Sequence, residues 1–157
     1  MRKFIMILLY FIVSDNEISY SSNYTETTIY KVKESENKED NTDLNIDNVY
    51  EKIIELEIKE PLIVLAQSIL ETQWYECKDC SLQLNNLFGM GWTGKTYDSY
   101  DHWIESVYEY KKWQLRNYTT DQDYYVFLID INYATDSNYV KKLKQIVNEL
   151  KLKYAEP

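Results

Sequence analysis

Residues 61–75 read PLIVLAQSILETQWY. Pro61 suits the first turn of a helix, where its missing N–H costs no hydrogen bond. The apolar spacing predicts one helix over 61–75. Leu62, Ala66, Ile69 and Leu70 fall on one side of it, so that side is expected to lean on a core. With Ala66 at the centre of the apolar face, an advance of about 100° per residue puts Glu71 beside that face rather than opposite it. Gln67 and Trp74 lie about one turn either side, on the same edge. A carboxylate at a core margin beside an indole loses part of its water. Desolvation raises its pKa and lets it hold a proton near neutral pH. Glu71 therefore reads in two ways: a solvated helix residue, or a general acid. Its position alone does not choose.

The neighbouring text places this helix in a larger set. Residues 47–58, DNVYEKIIELEI, repeat apolar residues at Val49, Ile53, Leu56 and Ile58, which predicts a helix with Asp47 as N-cap. Lys59-Glu60-Pro61 ends that pattern. Residues 77–100 hold all three glycines and read as loop, with at most a short β-hairpin around 92–97. A third helix is expected from about Asp101, carrying Trp103, Ile104, Val107 and Tyr110 at core spacing. A fourth covers about 122–131, with Tyr125, Phe127, Leu128 and Ile131. The last begins near Asp136 and aligns Tyr139, Leu143, Ile146, Val147 and Leu150. Lys151 and Lys153 near its end suit the helix dipole. Five helices and at most one hairpin predict a mostly α, α+β domain over 47–157.

The ends and the composition bound the rest. A chain of 157 residues, 45% hydrophobic, is expected to carry one domain with a real core. The net charge of −9 argues against nucleic acid as a partner, because phosphate binding is driven by Lys and Arg. Neutral polymers, glycans among them, stay open. Three glycines leave no Gly-rich phosphate loop. Met1-Arg2-Lys3 followed by FIMILLYFIV at 4–13 predicts a signal peptide or a short membrane anchor over 1–14. The run is too short to span a bilayer comfortably. Any membrane tether is expected through residues 4–13 alone, and no cysteine follows the run to carry a lipid. Residues 15–46 are rich in Ser, Asn, Glu, Asp and Lys and read as a polar flexible linker. The mature chain is expected outside the cytoplasm, in the periplasm, cell envelope or extracellular space.

Cys77 and Cys80 are the whole cysteine inventory. A zinc site wants four ligands and only His102 is left to join them. A thioredoxin-like site wants a βαβ setting, which the pattern lacks. Export favours a local disulfide. No metal and no cofactor are expected. Trp92 and Tyr97, near the glycines, are candidates to stack on sugar rings.

Four blocks then decide between the readings of Glu71. The first is Leu65-Ala66-Gln67-Ser68-Ile69-Leu70-Glu71-Thr72-Gln73-Trp74, with Asn85-Asn86-Leu87-Phe88-Gly89 after it. Further on come Tyr97-x-Ser99-Tyr100, then Glu105-Ser106-Val107-x-x-Tyr110, then Tyr133-Ala134-Thr135-Asp136-Ser137-Asn138-Tyr139 with Lys142-Leu143. In this order they resemble the peptidoglycan endo-β-N-acetylglucosaminidases, glycoside hydrolase family 73. That family reads A-Q-A-x-L-E-S-G-W-G, then N-N-L-F-G, then Y-x-S-F with E-S-V-x-x-Y, then Y-A-T-D-P-x-Y-x-x-K-L. The resemblance covers about residues 48–148. It implies a small lysozyme-like fold and hydrolysis of the β-1,4 bond after N-acetylglucosamine in peptidoglycan glycan strands.

Carried over by position, Glu71 matches the general acid and Tyr133 the tyrosine that helps position sugar or water. Gln67, Trp74, Asn85, Asn86 and Phe88 match substrate-contacting or cleft-shaping positions. The chain departs from the pattern at Thr72-Gln73 and Tyr75, which replace Ser-Gly and Gly. It also departs between Gly89 and Tyr97, where longer relatives carry a second carboxylate and this chain has Met90 to Thr96 with no acid. Asp98, Asp101 and Glu105 are the nearest candidates for that role, though Asp101 also suits an N-cap and Glu105 a helix dipole. A monomer is expected. Two other readings stay open on the same residues: a lytic transglycosylase or muramidase, and a non-catalytic glycan-binding module.

Overall fold

Seven consecutive residues of the opening stretch, Ile63 to Ile69, are buried, so the helix they form is wrapped on all sides. A helix that is apolar nearly all round sits inside a domain rather than on it. The computed structural model describes residues 43–154, which fall within the unit Asn41–Pro157. The expected export segment and nearly all of the expected linker lie outside the described residues.

The elements in order are α1 (Ile46–Glu55), α2 (Pro61–Glu71), a short 3-10 turn (Ser81–Leu84), α3 (Trp103–Asn117), α4 (Tyr124–Asp130) and α5 (Tyr139–Tyr154). The central helix α2 packs on α5 and α1, α1 also packs on α3, and α4 packs on α5. Val64, Leu65 and Ile69 of α2 meet Val49 and Ile53 of α1, Val107 and Tyr110 of α3, and Leu143 and Val147 of α5 in one core. Each such aliphatic side chain contributes roughly 1.5–3 kcal/mol of transfer free energy. The mostly α class is as expected.

Several boundaries differ from expectation. Asn45, not Asp47, caps α1, its side chain accepting from the Asn48 N–H at 2.9 Å. Ile46, expected as the last linker residue, is the first residue of α1. Asp47 instead reaches across to Lys153 and Tyr154 at the end of α5. His102, not Asp101, caps α3 through Nδ1, which accepts from the Ile104 N–H at 3.2 Å. The segment Asp136–Asn138 is a turn rather than helix. Asp136 takes the Asn138 N–H on Oδ1 and the Tyr139 N–H on its carbonyl, and so starts α5.

The largest difference is at the end of α2. It stops at Glu71 instead of running to 75. Gln73, Trp74 and Tyr75 all adopt left-handed backbone, with φ of 51°, 64° and 63°. The Trp74 N–H reaches back to the Ile69 carbonyl at 2.9 Å, the long bond of a Schellman stop with Gln73 at the position usually held by glycine. Without that glycine the sequence gives no sign that the helix ends.

No strand occurs among the described residues, so the short hairpin is a correction. Around 92–97 one backbone bond joins Thr93 N–H to the Thr96 carbonyl at 3.0 Å, and Asp98 N–H bonds the Met90 carbonyl at 3.1 Å. Two isolated bonds do not make a ladder. Residues 91–96 are exposed, so no buried face fixes a strand register there.

Candidate active site

Glu71 ends the central helix, where the chain leaves the core. Its carboxylate is half-buried, and Oε1 accepts the Tyr139 hydroxyl at 2.9 Å. Burial pushes its carboxyl above the usual glutamate range, while the Tyr139 hydrogen bond pulls the other way and burial prevails. Glu71 thus leans toward the neutral acid, as a proton donor must.

The second oxygen faces a different setting. A Cβ placed on Gly89 would lie 3.5 Å from Glu71 Oε2 and 3.6 Å from the Tyr97 ring. Gly89 has φ of +61°, so a side chain there would be strained, although a Cβ would meet the carboxylate only at ordinary contact distance. Gly89 thus stands within van der Waals reach of both Glu71 Oε2 and the Tyr97 ring. Tyr97 in turn stacks on Trp92, ring centroids 4.7 Å apart and tilted by 45°. Trp92 is 58% exposed. An acid, a bare backbone and an aromatic surface follow one another across this face.

The sequence blocks meet here through backbone contacts. Asn86 is fully buried. Its Nδ2 donates to the carbonyls of Met90 and Asp98, both at 3.0 Å, and its Oδ1 accepts from the N–H groups of Phe88 and Met90. Asn85 does the same further out, donating to the carbonyls of Tyr100 and Asp101. The Leu87 N–H bonds Ser106 Oγ on α3. Tyr133 donates its hydroxyl to the Phe88 carbonyl at 3.0 Å, one residue before Gly89. Burial, and then the Glu71 charge, hold the Tyr133 phenol protonated well above its usual range.

The expected site residues separate by exposure. Glu71 and Tyr97 are half-buried and Trp92 is exposed. Trp74 is 44% exposed on the turn after α2. Asn85, Asn86 and Phe88 hold the floor rather than project from it. Gln67, expected to contact substrate, is fully buried, and its Oε1 accepts the Tyr110 hydroxyl at 2.6 Å. It sits behind the face because all sides of α2 near it are covered, a correction to the single apolar side read from sequence. Tyr133 commits its hydroxyl to the Phe88 carbonyl.

Of the three candidate carboxylates, Glu105 accepts the Asp101 backbone N–H at 3.2 Å at the start of α3. The Asp98 carboxylate lies over Gly91, where an added Cβ would come within 2.0 Å of it. Cys77 and Cys80 are joined as a disulfide, Cα atoms 6.0 Å apart. Among the described residues no group of three or more His, Cys, Asp or Glu side chains is placed to hold a metal ion.

Two site residues escape the sequence reading. Tyr139 reads as core and does bury its ring, but its hydroxyl belongs to Glu71. The available signal is a tyrosine heading an otherwise aliphatic stripe, Leu143, Ile146, Val147 and Leu150. Gly89 stands in a motif without a role, and its closeness to Glu71 has no local signal.

A family model described as Glucosaminidase, mannosyl-glycoprotein endo-beta-N-acetylglucosaminidase, matches residues 47–152. No curated protein matches the chain. No solved structure matches it either.

Proposed function

This chain belongs to the glucosaminidase family, and we propose that it hydrolyses the β-1,4 glycosidic bond after N-acetylglucosamine in peptidoglycan, with Glu71 as general acid. One observation carries this: a carboxyl held toward its neutral form by burial, with one oxygen beside the bare backbone of Gly89. A glycosidic oxygen against that face would take the Glu71 proton. The bond from C1 to that oxygen then breaks, its electron pair leaving with the oxygen. Water adds at C1 and gives up a proton, and Glu71 is reprotonated. Trp92 and Tyr97 supply stacking area for sugar rings. Tyr133 fixes the Phe88–Gly89 backbone under the reacting bond.

The second half of the reaction is assigned here to the substrate itself: Glu105 accepts the Asp101 backbone N–H, and the Asp98 carboxylate lies over Gly91. The 2-acetamido group of the substrate is a chemically sufficient nucleophile, as in other substrate-assisted glycosidases. The same observation favours a second reading, a lytic transglycosylase, which also works with one acid. The lysozyme-like architecture and export to the envelope belong to the proposed picture. No helix among the described residues is long and apolar enough to cross a membrane.

The test is digestion of purified peptidoglycan followed by mass spectrometry of the soluble fragments. A new reducing N-acetylglucosamine end, lost in Glu71→Gln, supports the hydrolase. An anhydro-muramic end moves the assignment to the transglycosylase. Binding to insoluble wall with no released sugar from the parent chain makes it a glycan-binding module.

A further inference from the structure

Behind Glu71 runs a line of buried polar side chains that catalysis as described does not use. It begins where Gln114 on α3 pairs with the Lys59 backbone, accepting its N–H at 2.8 Å and donating to its carbonyl at 2.9 Å. Gln114 Nε2 also donates to the Tyr124 hydroxyl at 3.1 Å. Tyr124 and Tyr110 share a hydrogen bond of 2.6 Å, and Tyr110 donates to Gln67 Oε1 at 2.6 Å. Since Tyr110 commits its one proton to Gln67, Tyr124 must donate to Tyr110.

The line stops at Gln67: Oε1 is taken by Tyr110, and Nε2 is buried with no hydrogen-bond partner among the described residues. Glu71 is met separately, by the Tyr139 hydroxyl, which donates to Oε1 at 2.9 Å.

We infer that Tyr139 is a positioning residue, which fixes Glu71 Oε1 as an acceptor and leaves Oε2, the oxygen beside Gly89, to carry the proton. An oxygen receiving the Tyr139 hydrogen cannot also present one to it. A carboxyl free to place its proton on either oxygen would spend part of its time with the hydrogen aimed at the core. Holding Oε1 as acceptor removes that unproductive form. The inference rests on Glu71 being the acid. The titratable groups facing Glu71 are Tyr139 from α5, Tyr133 from the turn before α5, and Tyr97 from the 89–98 loop. Burial keeps Tyr133 and Tyr139 protonated.

The experiment is a carbon-13 titration of the Glu71 carboxyl carbon in the full chain, with the signal assigned by its loss in Glu71→Gln. Tyr139→Phe keeps the ring that packs 5.8 Å from Tyr133 and removes only the hydroxyl. The expected result is titration of Glu71 at higher pH in Tyr139→Phe, with a cooperative melt retained. The alkaline limb of the hydrolysis profile should move the same way. In the parent chain alone, the Tyr139 Cζ resonance should step as Glu71 ionises.

A Glu71 titration unchanged in Tyr139→Phe overturns the inference, and so does a parent Tyr139 resonance with no step. No substrate enters these titrations. A chain that cuts no glycan yet shows the coupling sinks the hydrolase reading alone.

Discussion

Glu71 has two unlike flanks. On one side stand α2, α3 and α5, where Gln67, Tyr110 and Tyr139 are buried and Glu71 Oε1 is held by hydrogen bonding. On the other lies the loop 89–98, mostly exposed, with a few backbone bonds and two aromatic rings on display. The helical flank can fix a proton donor to within a fraction of an ångström, because packed helices leave its groups no alternative partners. The loop flank cannot hold such precision, but it can present area. On this comparison, chemistry is assigned to the first flank and grip on the sugar to the second.

The sharpest way to break that assignment is Glu71→Gln. Loss of a general acid costs about 10²- to 10⁴-fold in rate, so peptidoglycan release should fall by that order. Folding should respond in the opposite sense. The folded-state pKa of Glu71 is raised, so the folded chain binds its proton more tightly than the unfolded one. Stability from this group is complete below the ordinary glutamate range and is lost as pH rises through the raised value. The glutamine side chain of the variant carries no charge at any pH. The variant should therefore melt above the parent at neutral and alkaline pH, with the gain vanishing in acid. Equal melting temperatures across that range would mean that Glu71 is not desolvated, and the helical flank would lose its special standing.

Next is the seam between the flanks. Asn86→Ala removes the side chain that satisfies two carbonyls and two N–H groups of the 86–98 segment. Stranding buried backbone groups costs roughly 1–3 kcal/mol, so a loss on the order of 3 kcal/mol is expected in denaturant melts. A far smaller loss would show that the loop holds its shape without the helical side.

How far the sequence foretells this contrast differs between the flanks. The helices are legible because each repeats apolar residues at helical spacing, from Val49 and Ile53 through Leu143 and Val147. Glu71 is legible because helix geometry puts it at a core margin and the blocks around it match a known pattern. Tyr139 is not, since a tyrosine at a core position reads as packing until the partner of its hydroxyl is known, and that partner lies 68 residues away. The burial of Gln67 is hidden for a related reason: one helix's periodicity does not reveal how many others surround it. The turn residues of the 92–97 segment suggest a hairpin, and only its exposure shows that nothing fixes a strand register.

The loop flank is tested by Trp92→Ala. Trp92 is mostly exposed, so folding should be untouched. Loss of one stacking surface, worth about 0.5–1.5 kcal/mol, should raise KM by up to about tenfold and leave kcat near the parent value. A fall in kcat instead would place Trp92 in the chemistry and blur the division between flanks.

The smallest effect concerns the helical flank's own strain. Gln73 holds the left-handed position of the stop that ends α2, with φ of 51°, where the resembling pattern has glycine. For a residue with a Cβ that conformation costs roughly 1–2 kcal/mol. Glycine avoids this but loses about 0.5–1 kcal/mol more backbone freedom on folding. The balance predicts that Gln73→Gly stabilises the chain by about 0.5–1 kcal/mol, read as a shift in the denaturation midpoint at constant slope. Gln73 is exposed, so no packing is lost to confuse the sign. Unchanged activity in the stabilised variant would mean that the strain is incidental to the position of Glu71, two residues earlier. A fall in activity would mean that the strained stop helps aim the carboxylate, and the rigid flank would then owe its precision partly to backbone under tension.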